Sequence, residues 1–255
     1  MSRSDLDRML QRHAEWLLSE GETGQQAELR RVDLRSADLA GRDLRYVVFV
    51  DCNFVRARLD GVNFEHSDLR QCQFSYASLR GAVLRHAILT DARFDGAQAD
   101  EADFAEALLS RASFKHASLR RAILCGVRGE GVSFEHAQLA RARLEDAALN
   151  TSSFADANLS GAALDRAVLE AVDFSRVKVL GGLTLEGASL TKTSLPAWLV
   201  RKPPAPEPES ASGPDAGTDA AAAMTDDPTV TSGDTVADAS APAGTPAPEQ
   251  ASPKL

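Results

Sequence analysis

Aromatic residues and long apolar segments are both scarce in this chain of 255 residues. Tryptophan and tyrosine occur twice each, and aromatic residues make up 5% of the sequence. No apolar run approaches the ~20 residues that cross a membrane as a helix, and the charged, amphipathic N-terminus does not resemble a secretory signal. We therefore expect a cytoplasmic protein with no membrane span.

The sequence also lacks the motifs that mark many active sites. There is no glycine-rich phosphate loop, no Cys-x-x-Cys pair and no serine at a nucleophile elbow. Aspartate and asparagine are numerous but recur as part of a repeat, so a carboxylate pair chosen from them carries little information. We expect no enzymatic activity, no catalytic residue, no cofactor and no bound metal.

An excess of basic charge is absent as well. Residues 28–202 carry 24 basic and 23 acidic side chains, whereas residues 203–255 carry Lys254 against nine acidic residues. The net charge of −9 therefore belongs mainly to the C-terminal segment. Because the larger part has no basic face, we expect no direct binding to nucleic acid.

What the sequence does contain is a period of five residues. From Leu29 to Val179, every fifth residue is leucine or phenylalanine, except Ala99, Gly129 and Val179 itself. Helices and ordinary strands have periods of 3.6 and 2, so neither points one side inward at this spacing. A square coil with five residues on each side does. Seven phenylalanines spaced by twenty residues then form a core ladder along one wall: Phe54, Phe74, Phe94, Phe114, Phe134, Phe154 and Phe174.

A second inward position lies two residues before each of these large side chains. If the leucine or phenylalanine is position i, position i−2 holds a small or β-branched residue such as Ala37 or Val47, with Arg42 as the exception. Positions i−1, i+1 and i+2 are mostly polar and are expected to face outward. One large and one small apolar group per side fill a narrow interior without voids or overpacking.

The five-residue units resemble those of a known family. Residues 37–41, 117–121 and 157–161 are similar to the A-(D/N)-L-x-x unit of pentapeptide-repeat proteins, and the resemblance runs from residue 27 to about 195. It implies an all-β solenoid, a right-handed quadrilateral parallel β-helix, and roles that vary widely between members. With coils ~4.8 Å apart, roughly eight coils make a body about 40 Å long.

The ends of the solenoid require covers. We expect residues 1–26 to form a helical cap, with a helix over 4–20 that Ser4 and Asp7 cap as a pair, and residues 27–195 to form the β-helix. The step from Val179 to Leu185 is six residues, and residues 196–202 are expected to form a short C-terminal cap. Trp16 and Trp198 serve these caps or, alternatively, bind a partner. Residues 203–255, rich in proline and alanine, form a disordered acidic tail.

Histidines and cysteines recur one coil apart. His66 and His86 share one wall and His116 and His136 are placed on the neighbouring wall, so each pair lies ~5 Å apart. Since further ligands do not converge on either pair, exposed corners are favoured over zinc sites. Cys52 and Cys72 occupy adjacent inward positions, where a small buried role is favoured over a disulfide. At Gly129 and Ala99 the core lacks a large side chain. These positions indicate either bends in the solenoid or ordinary divergence of the repeat sequence.

The outward i−1 positions give the main functional hypothesis. One wall reads Val48, Asp68, Ile88, Leu108, Arg128, Ala148 and Val168, and the adjacent wall adds Val83 and Ile123. Ile88 and Leu108, flanked by Val83 and Ile123, are the candidate partner-binding residues, since an exposed apolar patch is typical of a contact surface. The alternative is that these side chains lie flat on the sheet, where β-branched residues fit well.

We interpret the chain as a non-enzymatic protein-binding or scaffold solenoid that acts through its flat walls on an unidentified protein partner, including a second copy of itself. The family resemblance implies an alternative, mimicry of duplex DNA by a binder of DNA gyrase. That mechanism requires an acidic rod, which the near-neutral repeats do not provide. A third possibility is a secretion-associated or effector protein whose tail is functional.

Overall fold

The chain folds into an N-terminal helix followed by a four-sided parallel β-helix in the computed structural model, which describes residues 2–178 and 181–194. The regular elements are α1 (Arg3–Leu18), β1 (Glu28–Arg30), β2 (Val48–Val50), β3 (Arg128–Glu130) and β4 (Ala148–Asn150). β1 pairs with β2 and β3 with β4, both in parallel. The expected C-terminal cap at 196–202 and the tail at 203–255 lie outside the described residues.

Four faces are defined by parallel bridges between residues one coil apart. Face 1 is centred on residues 29, 49, 69 and their successors, face 2 on 34, 54 and 74, face 3 on 39, 59 and 79, and face 4 on 44, 64 and 84. Bridged residues are 20 apart up to residue 178 and 21 apart beyond it, as in Ala163↔Thr184 and Val168↔Ser189. The extra residue therefore lies between positions 178 and 184, where the repeat steps by six.

Each corner of the coil contains a left-handed residue, and most corners are hydrogen-bonded β-turns. After Leu34, the N–H of Ala37 donates to the Leu34 carbonyl at 3.1 Å, and Ser36 between them has φ +55°. Every i+2 position from residue 31 to 176 has the same positive φ, as a type II turn requires. Glycine adopts this conformation without steric cost. It occupies the position at Gly41, Gly61, Gly81, Gly96, Gly126, Gly131 and Gly161.

The polar residue at i−1 caps the turn that follows it. Asn53 Oδ1 accepts the backbone N–H of Val55 at 3.0 Å, which satisfies a donor that the turn leaves free. At Ser78, Ser113 and Ser118, which stand at i−1, an aspartate of the preceding coil takes over. Asp60 Oδ1 accepts the N–H of Arg80 at 3.0 Å and the hydroxyl of Ser78 at 2.5 Å. The preference for aspartate or asparagine before the central leucine thus has a local cause.

The interior is a continuous apolar core. The phenylalanines from Phe54 to Phe174 are buried, and successive rings stack with centroids 4.7–5.2 Å apart and interplanar angles of 3–16°. This distance matches the spacing between strands of a sheet. Each ring therefore packs on the same residue of the next coil, and the column runs through the described solenoid.

The two interruptions of the core are filled by neighbours. Ala99 shares its coil with Phe104, which meets the rings of Phe94 and Phe114 edge-on at 5.7 and 5.6 Å. At Gly129, a Cβ would lie 2.7 Å from Val132 Cγ2. Because Val132 occupies that space, the core volume expected to be lost at Gly129 is largely recovered.

The N-terminal cap differs in detail from expectation. α1 begins one residue earlier and ends two residues earlier than the predicted helix at 4–20, since Ser2 is its N-cap and Ser19 its C-cap. The hydroxyl of Ser2 accepts the Asp5 N–H at 3.1 Å and donates to the Asp5 carboxylate at 2.6 Å. The predicted capping pair Ser4 and Asp7 was therefore wrong by two residues, because Ser2 has the extended backbone that a cap needs.

His13 is the most buried side chain on the inner side of α1. Its Nδ1 accepts the N–H of Ala27 at 3.2 Å, so Nε2 carries the proton and donates to the Arg45 carbonyl at 3.1 Å. Burial lowers the pKa of His13. Trp16 stacks on the ring at 5.7 Å. The helix is thus tied to the first coil by a neutral imidazole as well as by Leu10, which is buried in the core.

Candidate protein-binding surface

Apolar side chains interrupt the polar exterior on face 1. Ile88 and Leu108 are bridged neighbours in adjacent coils, and Leu108 leaves 42% of its surface exposed. Ile88 is half-buried. Along the same face the pair is bounded by Asp68 on one side and Arg128 on the other. The structure therefore brings Ile88 and Leu108 together as a short exposed apolar strip.

Face 4 places the other two predicted residues beside this strip but not next to each other. Val83 and Ile123 are both half-buried, and Asp103 is bridged between them. The carboxylate of Asp103 is 14% exposed and accepts from Arg85 Nε at 2.6 Å. The expected patch of four residues therefore has Ile88 and Leu108 at its centre. Val83 and Ile123 lie beside them on face 4, separated from each other by Asp103 and its ion pair with Arg85.

The remaining faces have a different outward composition. At i−1, face 2 carries Asn53, Gln73, Arg93, Ser113, Ser133 and Ser153, and face 3 carries Arg58, Ser78, Gln98, Ser118, Gln138 and Asn158. Face 1 repeats its apolar character further along, where Val168 is 45% exposed. Apolar exposure at this position therefore belongs to faces 1 and 4 within the described residues.

Charged side chains on the corners pair along the solenoid. Arg111 donates to Asp91, Arg121 to Glu101 and Arg166 to Asp146, each across one coil at 2.6–2.8 Å. Exposed pairs of this kind contribute little stability each, about 0–1 kcal/mol. Their main consequence is electrostatic, because each of these three acidic residues has a basic neighbour in the adjacent coil.

Two stacked histidine pairs lie on corners. The rings of His66 and His86 are 4.6 Å apart at 5°, and those of His116 and His136 are 4.7 Å apart at 2°. The first pair follows face 4 and the second follows face 2. These are opposite faces, so the expectation of neighbouring walls was wrong, since two five-residue sides separate residues 64 and 74.

The first pair has a carboxylate that sequence reasoning missed. Ligand atoms of Glu65, His66 and His86 all lie within 4.8 Å of one another. Glu106 Oε2 also lies 3.5 Å from His86 Nδ1. The signal was present in the sequence, because Glu65 directly precedes His66 and Glu106 follows His86 by one coil. A third convergent group was nevertheless expected to be absent.

All three cysteines are free. Cys72 is buried and its thiol donates to the Phe49 carbonyl at 2.9 Å, and burial raises its pKa. Cys52, one coil below, is buried as well. Cys125 is half-buried against Glu145 at 3.1 Å, and burial together with that carboxylate raises its pKa to about 11. A thiol held protonated in this way is a poor nucleophile at neutral pH.

The repeat geometry agrees with a match to a family model. The model described as a pentapeptide repeat region matches residues 27–104 and 101–174, which together are more than half of the chain. The chain belongs to the pentapeptide-repeat family. The family fold, a right-handed β-helix, is also the fold of the solenoid described above.

Solved pentapeptide-repeat structures are similar to the chain at low identity. Full-length QnrB1, a plasmid-mediated fluoroquinolone resistance protein, is 17% identical, with 68% of this chain and 93% of that chain covered and a TM-score of 0.43. HetL of the cyanobacterium Nostoc, involved in regulating heterocyst differentiation, is 22% identical, with 71% and 92% covered and a TM-score of 0.32. No curated protein gives a significant match. Within the described residues, no helix is long and apolar enough to cross a membrane.

Proposed function

We propose that this pentapeptide-repeat protein is a non-enzymatic binding scaffold that contacts a protein partner through faces 1 and 4. The observation that carries the proposal is the strip formed by Ile88 and Leu108, which are bridged neighbours on a mostly polar exterior. Burying apolar area on association releases about 25 cal/mol per Å², and an exposed Leu108 offers such area at no cost to the fold. The flat wall presents it without a loop that must first become ordered.

The absence of catalysis is supported by the exterior of the solenoid. Its carboxylates cap turns or pair with arginines, as Asp103 does with Arg85. Cys125 is kept protonated at neutral pH by its surroundings. A reacting group normally lies in a concave site that excludes water, whereas these groups lie on corners and walls.

The experiment replaces Ile88 and Leu108 by arginine together. Two charges on the strip oppose desolvation of an interface, whereas the outward i−1 positions tolerate polar residues elsewhere on the solenoid. We expect a native melting temperature with loss of partner recovery from lysate, or of the dimer mass if the partner is a second copy. Pull-down with quantified recovery measures binding of a partner, and light scattering after size exclusion measures the dimer mass.

The matched control places the same charges on the opposite wall. Gln98→Arg with Ser118→Arg alters face 3 in the same two coils and is expected to leave binding intact. Equal loss in both double variants, or no loss in either, overturns the assignment of the strip. DNA mimicry is separable, because it predicts that the purified protein inhibits supercoiling by DNA gyrase, and we expect no inhibition.

A further inference from the structure

One corner of the solenoid carries an aromatic and imidazole column that starts at the N-terminal cap. Trp16 of α1 meets Tyr46 edge-on at 6.5 Å, Tyr46 stacks on His66 at 5.2 Å, and His66 stacks on His86 at 4.6 Å. Glu106 continues the column in the next coil. Neither the proposed binding strip nor the core accounts for this run of polar rings on one edge.

We propose that Glu65, His66 and His86 form a binding site for a divalent first-row transition ion of the Zn²⁺ type. Their ligand atoms lie within 4.8 Å of one another. Ligand atoms around tetrahedral zinc stand roughly 3.3 Å apart when metal–ligand distances are 2.0–2.1 Å. Both imidazoles are exposed and Glu65 is half-buried, so small side-chain rotations close the remaining gap without moving the backbone.

The donor set selects the class of ion. Two imidazoles and one carboxylate are a common protein set for zinc, with a fourth position left to water. Imidazole nitrogen disfavours Ca²⁺ and Mg²⁺, which take oxygen ligands. Glu106 is a positioning residue, because its carboxylate lies 3.5 Å from His86 Nδ1 and a nearby carboxylate orients a metal-binding imidazole.

Positive charge near the site is already paired. Arg85 donates to Asp103 at 2.6 Å, and Arg45 donates to Asp43 at 2.8 Å. Among the described ion pairs, none uses the carboxylate of Glu65. The carboxylate is therefore available to a cation.

The second histidine pair is an internal comparison with nearly identical ring geometry. His116 and His136 stack at 4.7 Å, but Glu135 precedes the second histidine of this pair, whereas Glu65 precedes the first histidine of the other. Glu135 also accepts from Lys115 Nζ at 2.8 Å. A carboxylate held by a lysine is not free to join two imidazoles. The second pair therefore has the same stacked rings but lacks an available third ligand of the same placement.

The test is calorimetric titration of untagged protein with ZnCl2, in a Cys125→Ser background that removes the half-buried thiol. We expect one saturable equivalent per chain, lost on His66→Gln with His86→Gln and weakened about tenfold by Glu65→Gln. His116→Gln with His136→Gln is expected to bind as the parent does, and CaCl2 is expected to give no saturable heat. Absence of saturable zinc binding, or equal effects of the two histidine double variants, overturns the site.

Melting temperatures distinguish the loss of a zinc site from the loss of the fold. The four histidines are exposed and Glu65 is half-buried at a corner, so the variants are expected to keep the parent melting temperature without metal. Zinc is expected to raise the melting temperature of the parent and of the His116/His136 variant but not of the His66/His86 variant, because a ligand that binds the folded state stabilises it. A zinc-induced shift that survives in the His66/His86 variant contradicts the proposal.

Discussion

At the scale of single residues, the corners are held in a conformation that most residues avoid. A non-glycine residue in the left-handed region costs roughly 1–2 kcal/mol, and most i+2 positions here carry side chains such as Arg56, His66 and Glu106 with φ near +60°. The turn hydrogen bond and the bonds to the next coil impose this backbone. Closure of each coil therefore requires strained backbone at the corners.

Gly81→Ala measures that strain directly. Gly81 has φ +60° and a Cβ there would meet no atom within 4 Å, so the substitution adds no clash. We expect a loss of about 1 kcal/mol in the free energy of unfolding, because the left-handed penalty exceeds the gain from a stiffer unfolded chain. Urea denaturation measures it. The reverse change, Ala171→Gly at φ +54°, is expected not to destabilise. An unchanged stability in Gly81→Ala contradicts the strain.

His13 is predicted to make folding stability depend on pH. Its pKa is lowered in the folded state by burial, so below the ordinary value of about 6.5 the unfolded chain takes up a proton that the folded chain resists. Stability is therefore expected to be flat above pH 6.5 and to fall as pH drops below it. Melting temperatures between pH 8 and pH 5.5 measure the effect.

The control for His13 is an uncharged substitute. In His13→Asn the side chain still offers an acceptor to the N–H of Ala27 but does not titrate in this range. The variant is expected to be less stable at pH 8 and to have a flatter profile between pH 6.5 and 5.5. If both proteins lose stability equally over that interval, the pH dependence belongs to another group.

At the scale of elements, the phenylalanine column is the largest contributor to packing within one wall. Phe114→Ala removes a fully buried ring stacked on both sides, and we expect a loss of ~3–5 kcal/mol in the free energy of unfolding. Lys115→Ala, the next residue, removes only an exposed ion pair with Glu135 and is expected to cost less than about 1 kcal/mol. Chemical denaturation compares them, and similar small losses would show that the ring is not core.

The coil of Ala99 and Phe104 offers a test of volume compensation. Ala99→Leu restores the repeat pattern but overpacks a filled interior, which typically costs about 1–3 kcal/mol. Phe104→Leu alone leaves a gap. The double variant conserves volume more closely, and we expect it to be more stable than the sum of the two single losses. Strict additivity in denaturation experiments would contradict the compensation.

How far the sequence predicts these elements depends on whether the signal is periodic. The five-residue period predicted the four faces, the column from Phe54 to Phe174 and the one-residue insertion after residue 178. These features are predictable because every coil packs its side chains in the same way. The capping role of Ser2 and the burial of His13 were missed. Both depend on where α1 lies against the first coils, and no period encodes a contact such as that of His13 with Ala27.

At the scale of the whole molecule, the described solenoid is stabilised by contacts between neighbouring coils. Each coil exchanges backbone hydrogen bonds with the coil on either side, so an end coil requires a cover. α1 provides one at the N-terminal end through Leu10 and His13. Function is harder to predict from sequence than this fold, because the roles of Glu65 and Asp103 depend on their contacts with residues of adjacent coils.

The last prediction concerns residues 203–255, which carry nine of the acidic residues and no aromatic residue. Such a composition buries too little apolar surface to offset the entropy of ordering, so we expect their deletion to leave the melting temperature of the solenoid unchanged. Differential scanning calorimetry of the full chain and the truncated chain tests this. A large drop would show that the segment packs on the repeats. Lost partner recovery at an unchanged melting temperature would instead assign binding to the tail, against the strip of Ile88 and Leu108.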